Sequence, residues 1–317
     1  MKPDSTEPWM VIVNPTAGNG AVQRKWAGIA HQVLTSLPGG VMVQYTRYPG
    51  HAIELVVEAV INGYRRFIAV GGDGTNHEVT NGILMQTTVP ASEILYTLLP
   101  LGTGNDWGRT YHIPKKIDLW LSMIHEGYHC FHDAAQIIYY KNDKPQMQYC
   151  INAGGLAYDA FVVQFSERNK HWVRNGFFYL FMLMRCLFSY RLVPAKVAFD
   201  EVIAEDYFYS INFGICKYSG GGMQITPHAI PNDGYLAVTL ARRMSKISVL
   251  LNTYRFYNGT LDRHPKITIH QTKKITITAA SQTPVGVEAD GELLGETPVE
   301  ITLIPDAIQV IVPKPAN

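Results

Sequence analysis

The sequence has no charge excess of either sign: 27 Lys and Arg stand against 26 Asp and Glu, a formal +1. A broad nucleic-acid surface needs a clear basic surplus, so nucleic acid is not expected as a partner. A local basic patch needs none, which leaves membrane contact open. Cysteine is scarce too. Cys130, Cys150, Cys186 and Cys216 are widely scattered and form no Cys-x-x-Cys pair, so they read as reduced, buried thiols of a cytoplasmic protein. Residues 1–10 lack the apolar core of a signal peptide. The longest apolar run, Phe177 to Phe188, is broken by Arg185 and falls short of the about 20 residues a spanning helix needs. The expectation is a soluble protein or one peripheral at the inner membrane face. What the chain does have is 317 residues, 47% of them hydrophobic, enough for a sizeable core and, as a prior, two domains.

The first third alternates short apolar runs with helical patterns. Met10–Val13, Val41–Thr46, Phe67–Val70 and Ile94–Leu99 read as strands; Val22–Leu37 and Ala52–Asn62 read as helices, and helical pattern resumes after Gly74. That rhythm predicts an α/β domain with a mostly parallel sheet and helices on both faces. Ligands of such sheets bind at the carboxyl ends of the strands. From about Asp133 the period changes to two. Ala135–Tyr140, Gln148–Ala153, Lys196–Phe199, Phe208–Phe213, Tyr235–Leu240, Ile267–His270, Ile275–Ala279, Val299–Ile304 and Ile308–Val312 read as strands of an antiparallel β-sandwich or barrel, with one helical stretch at about Phe165–Tyr190. Residues 1–132 then form an α/β nucleotide-binding domain and 133–317 a β-rich substrate domain, whose last strands are free to return to the first.

Four segments carry chemistry. Asn14-Pro15-Thr16-Ala17-Gly18-Asn19-Gly20 links a strand to a helix, offering backbone N–H groups and a helix N-terminus to an anion. It is no Walker A loop, since no Lys-Ser/Thr follows. Gly71-Gly72-Asp73-Gly74-Thr75-Asn76-His77-Glu78 also follows a strand; its glycines admit close approach of phosphate oxygens. An acid there repels anions, which makes sense if Asp73 meets Mg²⁺ or an acceptor hydroxyl. Leu101-Gly102-Thr103-Gly104-Asn105-Asp106-Trp107 repeats the small-residue-plus-Asp pattern, with Thr103 able to bond phosphate or ribose. Glu288-Ala289-Asp290-Gly291-Glu292 sits between β segments. It reads either as a solvated turn or as the place where the second domain aims Asp290 and Glu292 into the interdomain cleft. A carboxylate beside a hydroxyl supplies the proton acceptor that phosphoryl transfer asks for.

Taken together and in order, these strings resemble the diacylglycerol kinase catalytic-domain family of lipid kinases, which includes the sphingosine kinases. The matching residues are 14–18, 71–75, 99–106 and 288–292, spread over nearly the whole chain. The resemblance implies a kinase that uses ATP and Mg²⁺ on a membrane lipid, diacylglycerol first; exposed sheet edges would permit a homodimer. It places Asn14, Pro15, Thr16, Ala17, Gly18, Thr46, Gly72, Asp73, Gly74, Thr75, Asn76, His77, Glu78 and Thr103 at the nucleotide. Thr46 enters through Thr46-Arg47-Tyr48-Pro49-Gly50-His51-Ala52, which resembles the family's segment after the second strand. Glu292 is implied as the proton acceptor, with Asp73 as its rival and Asp290 beside it. Asp106 joins the network holding the catalytic Mg²⁺. Asp233, with main-chain oxygens of Ile230 and Tyr235, resembles a structural Mg²⁺ loop, although Asn232-Asp233-Gly234 also reads as a hairpin turn.

His77 stands where bacterial members usually have Asn and sphingosine kinases have His, which leaves the lipid class open. The stretch His171 to Arg191, with Arg174, Arg185 and Arg191 among its apolar residues, reads equally as a buried helix or as an interfacial one. An NAD kinase shares a related GGDG loop and is the second enzyme reading. A non-catalytic nucleotide- or lipid-sensing module is the third.

Overall fold

The computed structural model describes residues 7–169 and 176–315, and the side chains of 176–181 are not among those described. The chain divides into two compact units, residues 1–134 with 304–317, and residues 135–303.

Unit 1 is built on apolar runs too short for helices. β1 (Trp9–Val13), β3 (Arg66–Gly71) and β4 (Leu95–Pro100) are buried along their whole length, the behaviour of strands covered on both faces. β2 (Val41–Tyr45) is half exposed and lies at the edge, beyond β1. The pairs β1–β2, β1–β3 and β3–β4 are parallel. The register sets Val13 opposite Val70 and Val70 opposite Leu99, so all three buried strands end level. The segments that follow them therefore leave from one edge of the sheet.

The helices between these strands bury one stripe each. α1 (Ala21–Ser36) buries Val22, Trp26 and Val33 and stops before Pro38. α2 (His51–Ile61) buries Ala52, Val56, Ala59 and Val60. α3 (Asp73–Met85) follows β3 directly, and α4 (Asp106–Thr110) and α5 (Ile117–Glu126) follow β4. Arg66 is a buried charge: its guanidinium lies 4.0 Å from the Trp9 ring centroid and donates to the Glu7 carbonyl.

Unit 2 is antiparallel. β5 (His129–Lys141) enters it and turns into β6 (Lys144–Cys150). Then come β7 (Ala153–Ala157), α6 (Tyr158–Arg168), α7 (Gly176–Ser189), β8 (Pro194–Phe199) and β9 (Val202–Gly214). After the two-residue strands β10 (Tyr218–Ser219) and β11 (Met223–Gln224) follow β12 (Leu236–Arg242), α8 (Lys246–Leu251), α9 (Tyr254–Asn258), β13 (Ile267–Thr272), β14 (Lys274–Ala279), β15 (Gly286–Ala289) and β16 (Glu292–Ile311). β9 is the hub, pairing with β7, β8 and β12. Phe208, Ile211 and Phe213 of β9 join Val197, Leu236, Val238, Ile275, Ile277, Val299 and Ile301 in one core.

Three departures from the sequence reading have plain causes. The two expected strands at 299–304 and 308–312 are one strand, β16, which runs on through Pro305-Asp306 although Asp306 is a left-handed residue (φ 49°). The single helix expected at 165–190 is α6 and α7, and the part of it at 170–175, with Trp172 and Arg174, lies outside the described residues. Within α7, Met182, Cys186 and Leu187 are buried while Arg185 and Phe188 are exposed. The sequence reading has no helices at 246–258, where α8 and α9 are too short to show a period.

Phe213 is 1% exposed at the centre of this core, whereas Met42 on the edge strand is 47% exposed. Phe213→Ala should cost about 3–5 kcal/mol and Met42→Ala within about 0.5 kcal/mol, read as shifts of the urea unfolding midpoint.

Candidate functional site

In unit 1 three loops converge because their strands end level. Asn14 N–H donates to the Val70 carbonyl (3.1 Å), tying the first loop to β3, and Thr46 N–H donates to the Val13 carbonyl (2.9 Å). The Asn14 side-chain oxygen accepts from the Thr16 N–H and hydroxyl, 3.1 and 2.9 Å, which curls residues 14–16 into a tight turn. Gly102 N–H donates to the Gly71 carbonyl (2.8 Å). The second and third loops touch backbone to backbone: a Cβ on Gly102 would overlap the Gly72 Cα, and one on Gly104 would overlap Asp73 Oδ2. The first loop adjoins the third, since a Cβ on Gly18 would lie 3.7 Å from Thr103 Oγ1.

Asp73 locks the second loop to the third. Its Oδ2 accepts the Asn105 N–H and its Oδ1 the Asp106 N–H, both at 2.7 Å. Asn105 has φ 56°, a left-handed turn that Asn tolerates, and its side-chain N–H donates to the Gly102 carbonyl (2.8 Å). Burial first, and then the Asp106 charge, push Asp73 up to about 6, against the backbone hydrogen bonds of Asp106, Asn105 and Trp107 that pull it down. Lys25 of α1, absent from the sequence reading, reaches this edge and donates to the Leu101 carbonyl (3.2 Å). Only its place in the helix after the first loop could have pointed to it.

The other expected nucleotide residues divide by exposure. Thr16 and Thr103 are exposed, while Thr75, Asn76 and His77 are buried behind the loop. Asn76 accepts the Tyr96 hydroxyl. The Asn81 amide donates to the His77 carbonyl (2.9 Å) and lies 3.4 Å from His77 Nδ1. Glu78 faces α2: its two oxygens accept the Gly50 and Ala52 N–H groups, 2.9 and 3.2 Å, serving as the acceptor that the first turn of a helix lacks.

Among the described residues no group of three or more His, Cys, Asp or Glu side chains is arranged to hold a metal ion. Mg²⁺ bound with substrate phosphates needs only one or two carboxylates. Asp73 and Asp106 supply that pair, close enough for Asp106 to raise Asp73. Asn105 Oδ1 is buried without a hydrogen-bond partner. This donor set fits a hard cation held together with phosphate.

Unit 2 holds the second set of acids. Asp290 (φ 53°) and Gly291 (φ 84°) form the two-residue turn between β15 and β16, the left-handed pair that tight hairpins require. Asp290 does not face solvent. Its Oδ1 accepts the Asn152 N–H (3.1 Å) and the Cys150 thiol (3.0 Å), its Oδ2 the Ile151 N–H (3.4 Å). Glu288 is buried and accepts the Gly291 N–H (3.1 Å). Burial first, then the charges of Asp159 and Asp290, hold Glu288 well above the usual carboxylate range. Asp159, unmarked in the sequence, accepts from Ser210 and from Asn212 (3.1 Å), and burial raises it. Of the three acids in 288–292 only Glu292 is exposed.

The expected metal loop contains a turn. Asp233 accepts the Tyr235 N–H (3.0 Å) and the Gln271 amide (3.1 Å), while the Ile230 and Tyr235 side chains are exposed. These hydrogen bonds are those of a turn and leave the main-chain oxygens of Ile230 and Tyr235 outside them.

Comparison with known proteins gives the following. The profile of the diacylglycerol kinase catalytic domain matches residues 8–136, and that of the YegS C-terminal NAD kinase beta sandwich-like domain matches residues 152–312. YtlR of Bacillus subtilis, named as a candidate lipid kinase, is 27% identical, covering 95% of this chain and 98% of that one. The diacylglycerol kinase of Staphylococcus carnosus is 26% identical, covering 96% and 94%. Among solved structures, one from Bacillus anthracis described as a candidate diacylglycerol kinase superposes with a TM-score of 0.76 at 22% identity over 98% of this chain and 96% of that one. That likeness speaks to the fold alone.

An acid raised on folding stabilises the native state fully below its unfolded value of about 3.9, and that contribution is lost as pH rises through the folded value of about 6. The metal-free protein should therefore lose stability between about pH 4 and pH 6 through Asp73. In Asp73→Asn this part of the pH dependence should flatten, read as urea midpoints across the range, and carboxyl carbon NMR should place the Asp73 titration near 6.

Proposed function

The chain belongs to the diacylglycerol kinase catalytic-domain family, and from that premise we propose an ATP- and Mg²⁺-dependent lipid kinase acting on a membrane lipid, diacylglycerol first. The observation that carries the proposal is the junction of three glycine-rich loops on one sheet edge, locked by Asp73. The backbone N–H groups of Gly18 and of residues 72–74 cradle phosphate oxygens, helped by the N-termini of α1 and α3. Thr16 and Thr103, both exposed, bond phosphate or ribose. Lys25 adds a positive charge at the same edge.

Bound Mg²⁺ supplies neutralisation of the charge on the transferring phosphoryl group; Asp73, Asp106 and Asn105 would hold it. Glu292 accepts the proton of the lipid hydroxyl. The hydroxyl oxygen forms its bond to the γ-phosphorus as the bond to the departing ADP oxygen breaks. Two facts favour Glu292 over Asp73 and Asp290 in this role: it is exposed, and it sits on a turn fixed by Asp290. Asp290 is then a positioning residue. Unit 2 has a cavity of about 480 Å³ lined by Phe161, Val285 and Leu294 together with Lys141, Gln164 and Glu167, within the range of small-molecule sites.

The test is a radiolabelled-ATP assay on diacylglycerol in mixed micelles. Glu292→Gln should lower turnover by at least about 100-fold, Asp73→Ala should abolish it, and chelation of Mg²⁺ should abolish it in the parent. Full activity of both folded variants contradicts the proposal, and turnover of NAD in place of lipid would select the NAD-kinase alternative.

A further inference from the structure

The chain is nearly neutral as a whole, yet residues 242–266 hold six Lys or Arg against one acid, Asp262. This stretch begins at the end of β12 and carries α8 and α9. It also exposes large apolar side chains: Ile247 at 67%, Leu251 at 69%, Tyr254 at 55% and Tyr257 at 56%. The end of α7 joins the same surface. Lys246 donates to the Phe188 carbonyl and its ammonium lies 5.9 Å from the Phe188 ring, which is itself 58% exposed. Beside them an open cavity of about 780 Å³ is lined by Arg191, Arg243 and Lys246 together with Tyr190, Tyr207 and Tyr209. Arg242 faces Asp206 at 3.9 Å, but no ion pair involves Arg191, Arg243 or Lys246 among the described residues. None of these residues belongs to the loops or acids of the proposed reaction.

A cluster of exposed Ile, Leu and Tyr marks a surface that meets something apolar. Basic groups around it select a partner bearing negative charge. Tyr and the long Arg and Lys stems suit a boundary with one wet and one apolar side. We propose that the end of α7, α8 and α9 form the surface that docks this protein on an anionic lipid bilayer. Arg191, Arg243 and Lys246 take phosphate-bearing headgroups in the cavity, and Ile247, Leu251, Tyr254 and Tyr257 enter the acyl boundary. The choice of a bilayer over an acidic protein rests on the lipid-kinase reading above, but binding is measured without turnover, so the two fail separately.

The experiment is cosedimentation of the full chain, without nucleotide, with phosphatidylcholine vesicles and with vesicles that also contain phosphatidylglycerol. The parent should bind the anionic vesicles far better than the neutral ones, and added salt should weaken that binding. Each basic group near such a surface is worth about fivefold, so R191E/R243E should weaken binding by at least about tenfold. I247S/L251S should weaken it with the charge unchanged. Thermal melts matching the parent show that both variants fold. If the kinase reading also holds, both keep parental activity on a short-chain diacylglycerol dispersed as monomers and lose it on vesicles. Vesicle binding lost in both variants but no phosphorylation of either lipid would leave the docking surface standing and remove the kinase. Parental binding in both variants, no binding by the parent, or a solution dimer that I247S/L251S dissolves would overturn the proposal.

Discussion

Asp73 accepts the main-chain N–H groups of Asn105 and Asp106 at 2.7 Å each, and this pair of bonds sets the shape of everything around it. It brings Gly72 against Gly102, leaves Asn105 in a left-handed turn and turns Asp106 into the first turn of α4. The carboxylate is raised by its burial and by its neighbour Asp106. Two acids held close at the mouth of anion-binding loops are unfavourable on their own. A divalent cation bound with a triphosphate relieves both repulsions at once, which is the physical reason to read the junction as a nucleotide site.

The acid turn of unit 2 shows the opposite design. Asp290 is turned inward and clamps residues 150–152, and Glu288 is buried beside Asp159 and the same turn. These buried carboxylates leave Glu292 at the start of β16 as the exposed acid of the segment. A proton acceptor has to be held within hydrogen-bond reach of its hydroxyl, and a turn pinned by three donors holds it better than a mobile loop would.

Much of the unit 1 site was legible because it follows from strand length. Apolar runs such as Phe67–Val70 can only be short buried strands, and glycines placed straight after them must lie at strand ends. The pairing of Asp73 with the Asn105–Asp106 segment could not be read, since it joins residues 32 and 33 positions apart through main-chain N–H groups. Glu78 illustrates the same limit: its oxygens accept from Gly50 and Ala52, groups 28 and 26 positions away. Asp159 carries no local sign, because its partners Ser210 and Asn212 lie more than 50 residues away. Helices α8 and α9, with six and five residues, are too short for periodicity to reveal.

Amide hydrogen exchange with and without a non-hydrolysable ATP analogue and Mg²⁺ tests the central claim most directly. Protection gathered in residues 14–20, 72–78 and 102–106, and lost in Asp73→Ala, is the expected result. Binding of the analogue with those three segments unchanged would contradict the account.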